Sequence, residues 1–247
     1  MTRINTSLLL LALSTAACTP PECRLEGGEE ILSRTWFPPA DSPVESARDL
    51  SVDPDSGDLV ILDGDGSLYS LDGELLGAVP ELEAGVSAVQ VAAMGGGRFA
   101  VATSFGGDLL FDSTTDSVVP WPYARNGSEQ GDTREIAWDD ERAELVRVDC
   151  IENGDGCDVR TQRFDEDGAY LEQLPGSGSI FLMEAAAGDL LGIEDCALSV
   201  GETGDDMTPL FGLGPHDLYE ADAFAWDAEA RIASLRVGDE LVRVAVP

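Results

Sequence analysis

Apolar residues along this chain come in short runs with every-other-residue alternation, and the runs are separated by dense clusters of Gly, Asp, Asn and Pro. Alternation over four to eight residues between such turn signals predicts β-strands joined as hairpins. No stretch carries a convincing helical period; the alanines at 185–187 are too short a run. The strands also recur. Residues 50–60 align with 136–146, with 182–191 and with 224–234, and more loosely with 89–101, which carries one extra residue in its turn. The apolar anchors Val52, Val91, Trp138, Met183 and Trp226 follow one another at spacings of 39, 47, 45 and 43 residues. A period of about 40–45 residues is that of a four-stranded propeller blade.

Each repeat parses in the same way. In the first, strands at Asp49–Val52, Asp58–Leu62, Ser67–Leu71 and near Leu75–Val79 are separated by turns at Pro54–Gly57, Asp63–Gly66 and Asp72–Glu74. The second gives Arg98–Thr103, Asp108–Asp112 and Ser117–Trp121. The third gives Glu144–Asp149, Asp158–Phe164 and Ala169–Leu174, and the fourth Asp189–Ile193, Ala197–Val200 and Pro209–Gly212. The last repeat supplies three strands only, Ala223–Trp226, Arg231–Val237 and Glu240–Val246. Its missing outer strand is expected from the N-terminus, at Glu29–Phe37, which would join the two chain ends and cover an open sheet edge. The predicted fold is an all-β propeller of about five four-stranded blades closed by an N-terminal strand. A β-sandwich with chance internal similarity is the alternative. The pattern Val52-Asp53-Pro54-x-x-Gly57-x-Leu59 resembles NHL-type propeller repeats.

The first residues have a different character. Arg3 precedes an apolar run, Leu8 to Ala17, that ends in small residues. This is the three-part layout of a secretory signal, and the run is well short of the roughly 20 residues that cross a bilayer. The segment Leu13-Ser14-Thr15-Ala16-Ala17-Cys18 resembles the lipobox of bacterial lipoproteins, with Thr15 where that family usually has leucine. The resemblance implies cleavage before Cys18 and lipid on that cysteine. The other reading is ordinary cleavage near Ala17. Thr19 after the cysteine, rather than Asp, implies by the same resemblance the outer membrane, if the host has one. The expected organisation is a signal peptide at 1–17, a proline-bearing tether at 18–28 and the propeller at 29–247.

With Cys18 set aside, Cys23, Cys150, Cys157 and Cys196 remain, an even number suited to disulfides in an oxidising compartment. Cys150 and Cys157 flank a turn-rich segment and are expected to pair, leaving Cys23 to Cys196. Zinc is not expected, because no histidine or further cysteine accompanies the pair.

Charge narrows the partners. The chain has 14 basic residues, all arginine, against 48 acidic ones, for a net charge of −34. Such a surface repels phosphate backbones, so nucleic acid is excluded as a partner, and so is charge-driven adhesion to an anionic membrane. Solubility in a salty exterior accounts for the acidity; divalent cation binding is the sharper reading.

No catalytic set is legible. His216, the single histidine, lies beside Asp217 with no nucleophile in a recognisable context. The Gly95-Gly96-Gly97 run reads as a hairpin turn. Asp53, Asp139, Glu184 and Asp227 follow the first strand of their repeats, and a ring of them could hold calcium; an Asp there also caps its own turn. Calcium is the one cofactor the sequence leaves open. Trp138 and Trp226 are expected in the inter-blade core. Trp121 and Tyr123, flanked by prolines, are candidates for contact with sugar or peptide. The expected function is a non-catalytic binding or scaffolding propeller, held to the cell envelope by lipid on Cys18, whose partner is a protein, peptide or glycan. The alternative is a metal-dependent propeller hydrolase or lactonase with channel carboxylates.

Overall fold

The structure is a computed structural model that describes residues 30–39, 41–80, 86–104, 107–121, 132–152, 157–174, 182–186, 188–194, 197–202, 206–212 and 220–246. Every extended element among them is a β-strand, and the strands form five four-stranded antiparallel sheets. No helix among the described residues is long and apolar enough to cross a membrane.

Strand β1 (Glu30–Trp36) comes first in the chain but is the outermost strand of the last sheet. The first blade is β2 (Ala47–Val52), β3 (Leu59–Asp63), β4 (Ser67–Ser70) and β5 (Leu75–Ala78). The second is β6 (Ala88–Ala93), β7 (Arg98–Thr103), β8 (Leu109–Asp112) and β9 (Ser117–Pro120). The third is β10 (Asp132–Asp139), β11 (Glu144–Glu152), β12 (Cys157–Asp165) and β13 (Tyr170–Gln173). The fourth is β14 (Leu182–Ala186), β15 (Asp189–Glu194), β16 (Ala197–Gly201) and β17 (Thr208–Gly212). The fifth is β18 (Ala223–Asp227), β19 (Ile232–Val237) and β20 (Glu240–Ala245), completed by β1, which runs antiparallel to β20 from Glu30 opposite Ala245 to Trp36 opposite Glu240. The expected closure by the N-terminus is therefore present. The first strand of each blade is innermost, and the five touch in sequence round a ring, with β18 returning to β2.

Alternation along the second strands explains the packing. In β3, Val60 and Leu62 pack toward the second blade, whereas Leu59 and Ile61 pack toward the fifth. A strand covered on both faces therefore reads as an unbroken apolar run. Apolar packing is divided among five clusters, one at each junction between neighbouring blades. This explains the even spacing of apolar runs along the sequence: each blade must cover two neighbours.

The third blade departs from expectation. Strands β11 and β12 pair continuously from Glu144 opposite Asp165 to Glu152 opposite Cys157. That hairpin is longer than the turn-rich sequence suggests.

Candidate functional site

The innermost strand of a blade has a partner on one side only. Its inward N–H groups would be left without acceptors in the channel, at a cost comparable to a lost hydrogen bond each. Side chains of the preceding blade fill part of this need. Asp49 Oδ2 accepts from Val91 N at 2.8 Å, and Ser51 Oγ accepts from Ala93 N at 3.0 Å. The Glu184 carboxylate accepts from Trp226 N, and Asp139 Oδ2 accepts at 2.6 Å from Gly188 N in the β14–β15 turn of the next blade. Polar residues in the middle of the ring thus stitch one blade to the next.

Three inner strands carry a register shift, between Ala47 and Asp49, Ala88 and Gln90, and Thr133 and Glu135. A bulge re-aims the side chain that follows it. Here those side chains are Asp49, Gln90 and Glu135. Glu135 hydrogen-bonds Gln90, and Asp49, Glu135 and Glu184 feel one another's charge. Burial pushes the Asp49 carboxyl up from 3.8 to about 7, against its hydrogen bonds from Val91 and Leu50 and the more distant Arg236. Burial, then repulsion from Asp49 and Glu184, holds Glu135 well above the usual carboxylate range. Burial and Asp49 do the same to Glu184.

A raised carboxyl binds its proton more tightly in the folded chain than in the unfolded one. Its contribution is complete below the unfolded value and is lost as pH rises through the folded value. For Asp49 the loss falls between about pH 4 and about pH 7. The melting temperature is therefore expected to fall from pH 5 to pH 8. An Asp49→Asn, Glu135→Gln double variant should flatten that slope and melt higher than wild type at pH 8. An unchanged slope in thermal melts would show that the general acidity of the surface governs it instead.

Of the four carboxylates aligned in sequence, Asp53, Glu184 and Asp227 line one cavity and Asp139 is buried outside its lining. Asp53, Asp139 and Asp227 stand at the end of the first strand and cap the following turn. Asp53 Oδ1 accepts from Asp55 N at 2.9 Å and Ser56 N at 3.2 Å, and Asp227 Oδ1 from Ala230 N at 2.8 Å. Asp139 spends one oxygen on Arg142 N, at 3.4 Å, and the other on the fourth blade. Glu184 lies deeper in the channel. In its blade Ala186 pairs with Asp189, so the hairpin is shorter and Glu184 falls inside the strand. Among the described residues no group of three or more His, Cys, Asp or Glu side chains is placed to hold one metal ion.

Above Glu184 the channel opens into a cavity of about 320 Å³. Trp138 and Trp226 form its walls, Glu184 is in its floor, and Asp53, Asp140, Glu141, Asp227 and Glu229 contribute to its lining. The two indoles also flank inter-blade clusters, so each is partly core and partly cavity wall. Its volume lies at the lower end of the range for small-ligand sites.

Trp121 is placed differently from expectation. It is buried, its Nε1 donates to Gly168 O at 3.0 Å, and its ring meets Phe164 edge-on at 5.1 Å. It wedges the second blade against the third and offers no surface to sugar or peptide. Cys150 is disulfide-bonded. The β11–β12 register sets Cys150 opposite Val159 and Cys157 opposite Glu152. Cys18, Cys23, Cys196, Tyr123 and His216 lie outside the described residues, as does the Cys157 side chain.

The fold and its mouth define a five-bladed propeller with an acidic, tryptophan-walled channel entrance. No protein-family profile matches the chain, and no curated protein is similar to it. Solved structures share its architecture. The chain in "Structure of U3-55K" superposes with a TM-score of 0.52 at 10% identity, covering 88% of this chain and 98% of that one. A chain of a nidogen/laminin complex gives 0.51 at 14% identity, over 83% and 86% of the two chains. A gluconolactonase from Xanthomonas campestris gives 0.50 at 13% identity, over 80% and 71%. At these identities the likeness is one of fold.

Proposed function

We propose that this chain is an exported, lipid-anchored binding propeller that receives its ligand, a protein, peptide or glycan, at the channel mouth. The observation that carries this reading is the cavity bounded by Trp138 and Trp226 from two blades. Most other large apolar side chains lie in the inter-blade clusters, while these two also border a solvent-connected hollow. Export and anchoring rest on the segment from Arg3 to Cys18 and its likeness to a lipobox.

Topology adds a geometric consequence. Glu30 pairs with Ala245, and Val246 N donates to Arg231 O in the fifth inner hairpin. The start of β1 is therefore at the same end of the ring as the cavity. A tether from Cys18 would leave from the ligand face and span at most about 40 Å when fully extended. The ligand site would then be held close to the membrane.

Two experiments test this reading. Cys18→Ser is expected to move the protein from the membrane fraction to the soluble fraction of its native host; retention on membranes would contradict the anchor. A library of small glycans and peptides, followed by tryptophan emission, should give ligands that bind wild type and fail with Ala186→Trp, which fills the cavity. Ligands indifferent to that substitution would place the binding surface elsewhere.

A further inference from the structure

The chemistry lining the mouth specifies more than a site. None of the lining residues is basic. Trp138 and Trp226 both line the mouth, and an aromatic face attracts a cation within about 6 Å of its centre. Asp140, Glu141 and Glu229 are exposed at the rim, and Asp53 and Asp227 are half-buried behind them. Glu184, only 8% exposed, closes the floor. The Trp138 Nε1–H is shielded from solvent and has no hydrogen-bond partner among the described residues. These carboxylates repel an anionic ligand and attract a cationic one. Two indoles above a carboxyl suit a positive group that is weakly hydrated and partly apolar, which water releases at low cost.

Building on the reading of the mouth as the ligand site, we infer that its ligand carries an alkylammonium group, seated between Trp138 and Trp226 over Glu184. The rim carboxylates draw the cation in, an effect that salt screens. The indoles then border its methyl or methylene shell, and the seated cation favours the ionised form of Glu184 that burial and Asp49 otherwise oppose. A hard ion such as calcium gains nothing from the indoles and prefers six to eight oxygens, more than this mouth converges.

Choline is the probe, with its neutral isostere 3,3-dimethylbutan-1-ol as control, titrated at constant ionic strength while tryptophan emission is followed. Saturable quenching by choline is expected, with the isostere at least tenfold weaker. Trp138→Ala should weaken choline tenfold or more. The exposed pair Asp140→Asn, Glu141→Gln, which touches no core contact, should weaken it several-fold at low salt and little at high salt. A peptide carrying one trimethyllysine separates the sources: tighter binding than choline marks a side chain, and weaker binding marks a free amine. Equal binding of choline and its isostere would overturn the cation inference and leave the mouth as a ligand site. Full displacement of choline by calcium would overturn it in favour of a metal. Binding of neither probe would also overturn it, and the Ala186→Trp screen then decides the site reading separately.

Discussion

Removal of residues 1–37 should abolish the closed ring. Strand β1 hydrogen-bonds to β20 along its length, and Phe37 N donates to Asp239 O at the end of the pair. Phe37 is buried at the junction of the first and fifth blades, and Ile31 packs against the cluster containing Val242 and Val244, both fully buried. Losing the strand exposes that cluster and leaves β20 as a long apolar edge, a template for pairing with other chains. Burying one large apolar side chain contributes about 1.5–3 kcal/mol. Phe37, Ile31 and the uncovered neighbours together represent roughly 5 kcal/mol. For a domain of this size that is roughly 10–20 °C in melting temperature. The truncated chain should melt that much lower and form oligomers in sedimentation analysis. A peptide of residues 29–39 added in excess should restore part of the loss. A truncated chain that stays monomeric with an unchanged melt would mean that the N-terminal strand does not close the ring.

Replacement of Arg147 should be the most damaging single substitution. Its guanidinium is 2% exposed and lies between Trp121 and Phe164, 5.5 and 5.1 Å from their ring centres. NH2 donates to Asp149 Oδ2 at 2.6 Å, and NH1 is 3.5 Å from Asp108 Oδ2. Asp108 in turn accepts from Thr103 N at 3.0 Å and from Thr133 Oγ1 at 2.7 Å, so the charge sits in a network linking the second and third blades. Burial raises the Asp149 carboxyl, and Arg147 is the main influence opposing that rise. Arg147→Met keeps much of the volume and removes the guanidinium from two buried carboxylates. Breaking a buried pair in this way costs about 3–5 kcal/mol. The urea midpoint should fall accordingly, and Asp149→Asn added to Arg147→Met should recover part of it. A loss below about 1 kcal/mol would mean that water already screens the group.

The sequence made the architecture legible because each blade obeys the same two rules. Second strands are mostly apolar on both faces, with Arg147 and Asp149 of β11 the exception, and turns carry Asp and Gly. Positions 59–62 announce both neighbours at once, and the lone strand before the first repeat announces the closure. The site was less visible. Asp53, Asp139 and Asp227 stand out as a sequence column; each caps the adjoining turn, Asp139 also bonds the fourth blade, and Asp53 and Asp227 also line the cavity. Asp49, Gln90 and Glu135 are the column that reaches the channel. A sequence signal exists in Asp49-Leu50-Ser51-Val52, Gln90-Val91-Ala92-Ala93 and Glu135-Ile136-Ala137-Trp138, each a polar residue followed by apolar, small and apolar ones. What hides it is the bulge before the polar residue, which breaks strict alternation. Glu184 aligns in sequence with Asp53, Asp139 and Asp227, but a shortened hairpin sets it inside its strand rather than at the turn. Arg147 and Asp149 alternate with Val146 and Val148, so they share one face of β11, but only the tertiary structure shows Trp121 and Phe164 closing over that face. Trp121 itself looked like a loop aromatic because prolines flank it; the third blade covers it.

The proposed ligand site is the channel mouth, with Trp138 and Trp226 in its lining. The chain has four tryptophans, Trp36, Trp121, Trp138 and Trp226, whose indole N–H signals are resolvable by nitrogen-edited NMR and assignable by single Trp→Phe variants. With choline as titrant, the account predicts saturable shifts of the Trp138 and Trp226 signals, with Trp121 in its inter-blade seat and Trp36 on the outer strand unmoved. Shifts confined to Trp36, or no saturable shift of Trp138 and Trp226 with choline or with any ligand recovered from the screen, would contradict it.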